Sequence, residues 1–399
     1  MSGQFLEGVK VLDVGETIAG AYCTKLLADF GADVIKVEPP DGGDPARKAG
    51  PFPKDVPNSE ASGLFIYLNN NKKGVTLNLK CASGVTIFKQ LAKWADILVE
   101  DFSPSYMPSL GLGYKDLEAV NPGLVMTSIT PFGQTGPYRD FKDSDIIVQA
   151  ISGWMDSRGY VGRDPLRAGG PLRLAEYVGG SFGGPATLTA LAYKNRTGIG
   201  QHVDVSETEA ASIMMIYPYT SVRYLHCKIP FRKRMAFFPG IEQCKDGYVG
   251  INVITGEQWA SLCRCTGLDD IAEDPEYISV VTRIPHSPEL RERMRPWLEA
   301  RTAQEIQDEL LLWRVPSAVP YTNKTMLDSP QHKDRKYFVE VDHPVAGKLT
   351  QPGPWCRSTE PAWQMKSPAP LLGQHNVEVY GRLGYSKSDM VFLRQTGVI

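Results

Sequence analysis

The groups best placed to do chemistry in this 399-residue sequence are carboxylates with lysines nearby. Glu38 closes a strand-like run about where a ribose-binding acid would stand in a dinucleotide-binding β-α-β unit. The turn that would hold pyrophosphate, Asp13-Val14-Gly15-Glu16-Thr17-Ile18-Ala19-Gly20, has no G-x-G-x-x-G, and it puts Glu16 where phosphate should sit. Nicotinamide chemistry is therefore not expected. The histidines show no metal spacing, and His226, His286 and His332 read as surface or core residues. Cys263 and Cys265 form a lone C-x-C without a second pair, so no zinc is expected. No G-x-S-x-G elbow supports an α/β-hydrolase thioesterase. Glu176, in Leu174-Ala175-Glu176-Tyr177-Val178-Gly179-Gly180, reads in isolation as an exposed structural glutamate. Lys72, Lys73, Lys80 and Lys142 read in isolation as a solvated face.

The elements that must position these groups alternate. Val9–Val14 predicts a strand, Ala19–Phe30 a helix and Asp33–Glu38 a second strand closed by Pro39-Pro40. Val75–Leu79, a helix over Gly84–Trp94 and Ile97–Glu100 repeat the unit, and Leu124–Ile129 adds a strand. The reading is an α/β fold: a Rossmann-like large domain with a parallel sheet covered on both faces, plus a smaller α/β domain. Small residues over Gly179–Ala192 imply a helix packed closely on other backbone, followed by a strand over His202–Ser206. Helices are expected near Gly256–Cys265 and Pro288–Leu312, and the last Pro- and Gly-rich segment closes with a short helix. The expected division is a large domain over residues 1–224, a small domain over 225–325 and a return segment over 326–399.

Composition is ordinary for a globular chain, and a net charge of −2 supplies no field for nucleic acid or an anionic membrane. Any anionic ligand must then be held by a local cluster of cations. No apolar run reaches the ~20 residues of a membrane span, and the N-terminus does not read as a signal peptide. Seven scattered cysteines suit free thiols in a reducing cytoplasm.

Eight segments in order resemble the class III CoA-transferase family, which includes formyl-CoA transferase, carnitine CoA transferase and the α-methylacyl-CoA racemases. They are Leu12-Asp13 with Ala19-Gly20, Leu26 through Glu38, Asn71-Lys72-Lys73 with Leu77–Lys80, and Val99-Glu100-Asp101-Phe102. Leu110–Tyr114, Phe132–Tyr138, Thr197–Gln201 with Val203–Ser206, and Ala369–His375 complete the set. The resemblance implies an interlocked dimer of ring-shaped chains. It also implies transfer of CoA from an acyl-CoA, with succinyl-CoA the expected donor, to a carboxylic acid through anhydride and enzyme-thioester intermediates. It implies no metal and no tightly bound cofactor, coenzyme A thioester being a substrate. The family's nucleophilic aspartate falls on Glu176, and Thr17, Ile18, Lys80, Asp101, Phe102, Lys142 and Asp145 fall around the CoA moiety.

Glutamate is competent for the same anhydride chemistry, but its extra methylene moves the carboxylate by on the order of 1 Å, which can cost about 10²-fold. Asp101, where active members often carry Asn, and Ser109, where formyl-CoA transferase carries Arg, both weaken attraction for an anionic ligand. Ser144 replaces the racemase histidine before Asp145, which disfavours racemisation. Three readings stay open: a weak or silent subunit paired with a paralogue that carries aspartate, a homodimer with Glu176 as nucleophile, and a CoA-binding partner that never turns over. The basic, aromatic run Pro230–Pro239 reads first as a solvated loop with a packed Phe pair; the alternative is a site for an aromatic-substituted succinate, a situation that resembles the benzylsuccinate CoA transferases, which pair two related subunits.

Overall fold

The computed structural model describes residues 3–157, 167–169, 172–214, 220, 223–224, 238–360 and 362–399. Residues 230–237 of the basic, aromatic run, and His226, lie outside the described residues. The chain forms two compact units, residues 1–232 with 336–399, and residues 233–335.

In the first unit, strands β1 (Lys10–Asp13), β2 (Asp33–Glu38), β3 (Lys72–Thr76), β4 (Ile97–Glu100), β5 (Val125–Thr130) and β6 (Gln201–Ser206) make one parallel sheet. Its order is β3-β2-β1-β4-β5-β6. The order reverses between β1 and β4, and in such sheets ligands bind outside the carboxyl ends of the strands at that point.

Strand residues alternate between two cores. Leu12, Ile35, Leu98 and Met126 face one side and meet Ile87, Phe88 and Leu91 of the helix Ala82–Trp94. Their neighbours Val11, Val34, Ile97 and Val125 face the other side, against Ala19, Cys23 and Leu27 of helix α1 (Ile18–Asp29). Because both faces are covered, the strands read as continuous apolar runs rather than alternating ones.

The small-residue segment belongs to a longer helix than the sequence predicts, Leu174–Thr197. It packs on α1 at backbone distance, where a Cβ on Gly180 would lie 2.6 Å from the Ala19 carbonyl oxygen, and closely on β5, where one on Gly183 would lie 2.6 Å from Ile129 Cδ1.

Strand β3 begins three residues before the predicted Val75, because Lys72 is an interior residue. Its Nζ donates to Asp13 Oδ2 (2.8 Å), the Ala21 carbonyl (2.9 Å), Thr24 Oγ1 (2.9 Å) and Asn69 Oδ1 (2.9 Å). Lys36 pairs with Asp13 at 3.4 Å and with Asp44 at 2.7 Å, and it also donates to the Gly15 carbonyl. These two lysines bring Asp13 down to a pKa of about 2, against the burial that opposes its charge. Lys72 is thus no ligand-facing cation but a tie between the end of β1, α1 and β3. Lys73 is also engaged, at 3.0 Å from Asp33 and 3.3 Å from Glu378.

The return segment contributes an antiparallel hairpin that sequence periodicity did not disclose, Phe338–His343 with Gly347–Pro352. The chain closes with two short helices rather than one, Asn376–Arg382 and Lys387–Gln395.

The second unit has a three-stranded antiparallel sheet, Ile241–Cys244, Gly247–Ile251 and Ser317–Ala318. Trp259, Leu262, Leu290, Met294, Ile306 and Leu310 fill its core. The stretch read as one helical region over Pro288–Leu312 is two helices, Ser287–Glu299 and Ala303–Leu312. The second starts at Thr302, whose hydroxyl caps the Glu305 amide while the Glu305 carboxylate returns to the Thr302 amide at 2.8 Å. Among the described residues, no helix is long and apolar enough to cross a membrane.

Candidate active site

Two cavities open at the carboxyl ends of the sheet strands. The larger, about 570 Å³, is bordered by the segments that follow β1, β2, β3 and β4, including Val14, Glu16, Leu79, Lys80, Phe102 and Tyr106. The smaller, about 110 Å³, is bordered by Thr17 of the β1–α1 turn, Asp101 and Phe102 after β4, Ile129 of β5, Arg139 and Asp143 after β5, Glu176 of the long helix and Glu207 after β6. Phe102 and Ser103 line both, so the cavities adjoin.

Glu176 is the third residue of the long helix and only 3 % exposed, contrary to its isolated reading as a surface residue. One carboxylate oxygen accepts the Ile18 amide, at the first residue of α1, at 3.0 Å; the other pairs with the Arg173 guanidinium. Two helix N-termini therefore converge on one carboxylate, an arrangement that favours its charge. Burial opposes this and prevails, pushing the Glu176 pKa up to about 7, helped by the Asp101 charge and resisted by Arg173 and the Ile18 amide.

The long helix starts where it does because Asp145 caps it, with Oδ1 accepting the Ala175 amide at 2.8 Å. Asp145 is held in turn by Gln149 (2.8 Å) and Arg167 (2.9 Å).

Asp101 has a different use from the one its charge suggested. It accepts the amides of Glu16 (2.7 Å), Thr17 (3.1 Å) and Gly20 (3.0 Å) and the Thr17 hydroxyl (2.6 Å). Burial raises its pKa, opposed by the Thr17 hydroxyl, the Lys36 charge and the Glu16 and Gly20 amides. Its charge is absorbed by the β1–α1 turn, and Gly15 and Gly20 leave the room: a Cβ at either would lie 2.6 Å from Asp101 Oδ2. The loop that Asp101 fixes is the one that aims the Ile18 amide at Glu176. Glu38 is likewise spent, bound by Arg47 at 2.6 and 2.8 Å and by the Asp44 amide at 3.0 Å.

Of the residues singled out in the sequence, Glu176, Thr17, Ile18, Asp101 and Phe102 meet at or beside the smaller cavity. Lys80 is an exposed residue on the border of the larger one, where the Phe102 and Tyr106 rings lie 4.6 Å apart. Lys142 is exposed and borders neither cavity, and Asp145 supports the helix from behind. Ser109 and Ser144 are exposed as well.

Sequence reasoning missed Arg139 and Glu207. Arg139 pairs with Asp140 at 3.2 Å on the cavity border. Glu207, the first residue after β6, is 3 % exposed. Its position at a strand's carboxyl end was the available signal, but an acid opening a helix reads first as an ordinary favourable helix start. Among the described residues no cluster of His, Cys, Asp and Glu is arranged to hold a metal ion.

Known proteins resemble this chain over its whole length. The profile of CoA-transferase family III matches residues 6–376. Succinyl-CoA:glutarate CoA-transferase of Mus musculus is 32% identical over 99% of this chain and 90% of its own. Subunit BbsE of the succinyl-CoA:(R)-benzylsuccinate CoA-transferase of Thauera aromatica is 30% identical over 100% of this chain and 98% of its own. The crystal structure of a CAIB/BAIF family protein from Brucella suis superposes with a TM-score of 0.83 at 27% identity, covering 96% of this chain and all of that one. A doubly wound sheet with a buried carboxylate at its carboxyl ends, matched from end to end by these relatives, places the chain in CoA-transferase family III.

Proposed function

We propose that this chain transfers CoA from succinyl-CoA to a second organic acid, with Glu176 as the nucleophile. The observation that carries the reading is the placement of Glu176: buried, bordering a cavity, and held by the Ile18 amide from a second helix. The carboxylate attacks the thioester carbonyl, a C–O bond forms, and the C–S bond breaks to release CoA thiolate. The thiolate then attacks the Glu176 carbonyl of the mixed anhydride, and succinate leaves from an enzyme–CoA thioester. The acceptor carboxylate reverses both steps. Acyl-CoA filling a cavity of about 110 Å³ would leave little room for water beside the anhydride, whose hydrolysis would waste the thioester.

The larger cavity suits the nucleotide end of CoA, with the Phe102–Tyr106 pair as an apolar face and Lys80 as a cation on its border. Phe102 and Ser103, which line both cavities, stand where they join, with Thr17 on the side of the smaller one. Arg139 offers a charge to a second carboxylate on the acceptor, a reading in keeping with relatives named for glutarate and benzylsuccinate. The family resemblance supports an interlocked dimer, with residues 225–325 as the smaller domain.

A second reading is favoured by the benzylsuccinate relative, which is one subunit of its enzyme. In it, a paralogous chain does the chemistry and Glu176 is silent. Incubating the isolated chain with succinyl-CoA and hydroxylamine, followed by peptide mass spectrometry, separates the two. A hydroxamate on Glu176 supports the nucleophile. No adduct on this chain alone, with turnover restored by a paralogue, would overturn it in favour of the silent subunit.

A further inference from the structure

The smaller cavity contains a second buried carboxyl that the transfer scheme leaves without a role. Glu207 follows β6 directly, and its methylenes press on the long helix: a Cβ on Gly179 would lie 2.8 Å from Glu207 Cγ. Glu207 borders the same cavity as Glu176. The two are not equivalent. Glu176 receives the Ile18 amide and the Arg173 guanidinium, whereas no described residue is hydrogen-bonded to the Glu207 carboxyl.

The charges that act on Glu207 are Glu176, Asp143 and Asp101, with Arg173 the opposing cation. Arg139 and Asp140 border the cavity with it. Two adjoining buried carboxyls do not both ionise readily, and the proton they retain rests on the one with fewer donors. Burial first, then the Glu176 charge, hold the Glu207 pKa well above the ordinary carboxylate value.

We propose that Glu207 works as an un-ionised acid whose O–H donates a hydrogen bond to the thioester carbonyl oxygen attacked by Glu176. The inference rests on Glu176 being the nucleophile. As the C–O bond to Glu176 forms, charge develops on that oxygen; it returns to the carbonyl as the C–S bond breaks and CoA leaves as thiolate. The Glu207 proton strengthens its hydrogen bond while the charge is present and stays on Glu207 throughout, so no proton is consumed. A neutral donor suits this site better than a second cation beside Arg173, because it does not further quench the Glu176 charge needed for attack. Removing one preorganised donor from a developing oxyanion costs about 10²–10³ in kcat.

The test compares wild type with E207Q, E207L and E176Q in two measurements. Infrared spectra at alkaline pH, above the Glu176 value of about 7, report the carbonyl stretch of a carboxyl group that stays un-ionised there. Rates of CoA exchange between succinyl-CoA and succinate across pH report the donor. The expected spectrum has that band in wild type and E176Q and lacks it in E207Q. The expected rates have E207L slowed about 10²–10³-fold in kcat at similar KM. E207Q, which keeps an N–H donor and matches the shape of glutamate, stays within about tenfold and lacks the alkaline decline expected of wild type. A wild-type spectrum without the band, a band surviving in E207Q, or an E207L variant with wild-type kcat would overturn the proposal. If Glu176 acquires no hydroxamate while the band and the E207L defect are as expected, the nucleophile assignment is what falls.

Discussion

Replacing Glu176 by glutamine should make the protein more stable at alkaline pH while abolishing its chemistry. The buried Glu176 carboxyl has its pKa pushed from 4.5 up to about 7. The folded state therefore binds a proton more tightly than the unfolded chain. At roughly 1.4 kcal/mol per pH unit, ionising Glu176 costs the folded state about 3 kcal/mol. For this raised carboxyl the sign is fixed: there is no penalty below pH 4.5, it grows from 4.5 to about 7, and it is constant above. E176Q carries no charge at any pH and can still accept the Ile18 amide. Urea denaturation at pH 4.5 and pH 8 should then show near-equal stabilities at the lower pH and a gain of about 3 kcal/mol for the variant at the higher. Equal differences at both pH values, or a variant less stable at pH 8, would refute the reasoning, because Glu176 would then be a satisfied ion-pair partner of Arg173.

Three further outcomes follow from the packing. Gly180→Ala places a methyl 2.6 Å from the Ala19 carbonyl oxygen, a backbone atom that cannot turn aside; overpacking of this kind costs about 1–3 kcal/mol, read by thermal or urea denaturation. It should also lower kcat, because α1 carries the Ile18 amide. Asp101→Asn keeps the shape but turns a donor toward donors in the β1–α1 turn, for an expected loss of about 1–3 kcal/mol. Arg139→Ala should raise KM for a dicarboxylate acceptor by up to about fivefold while leaving monocarboxylates unaffected, in steady-state assays, since one exposed charge pair contributes modestly.

The sheet was legible because its strands are apolar runs bounded by Gly and Pro: Asp33–Glu38 and Ile97–Glu100 are strands with the bounds read from the sequence. β3 was read three residues late because Lys72 and Lys73 look like solvent residues. Only the neighbouring Asp13, from a strand two places away, makes Lys72 an interior ion. The hairpin over Phe338–Pro352 was obscured by Pro and Gly in a stretch without a clean alternation. Glu176 was legible as a site through the resemblance but not as a buried group, since periodicity carries no signal when a helix is small-sided on most faces. Asp101 was misread for the same reason: its charge is visible in sequence, and its four donors are not. Glu207 needed the fold, because only the sheet brings the start of the helix after β6 to face the start of the long helix.

The central claim is that the Glu176 carboxylate passes through an anhydride. Exchange between succinyl-CoA and succinate carrying heavy oxygen in both carboxyl groups tests it without knowledge of the second acid. In each transfer the acceptor carboxylate leaves one of its oxygens on the enzyme carboxyl. The peptide containing Glu176 should therefore gain heavy oxygen in step with turnover, and that gain should vanish in E176Q. Turnover that labels no enzyme carboxyl, or labels one other than Glu176, would contradict the account.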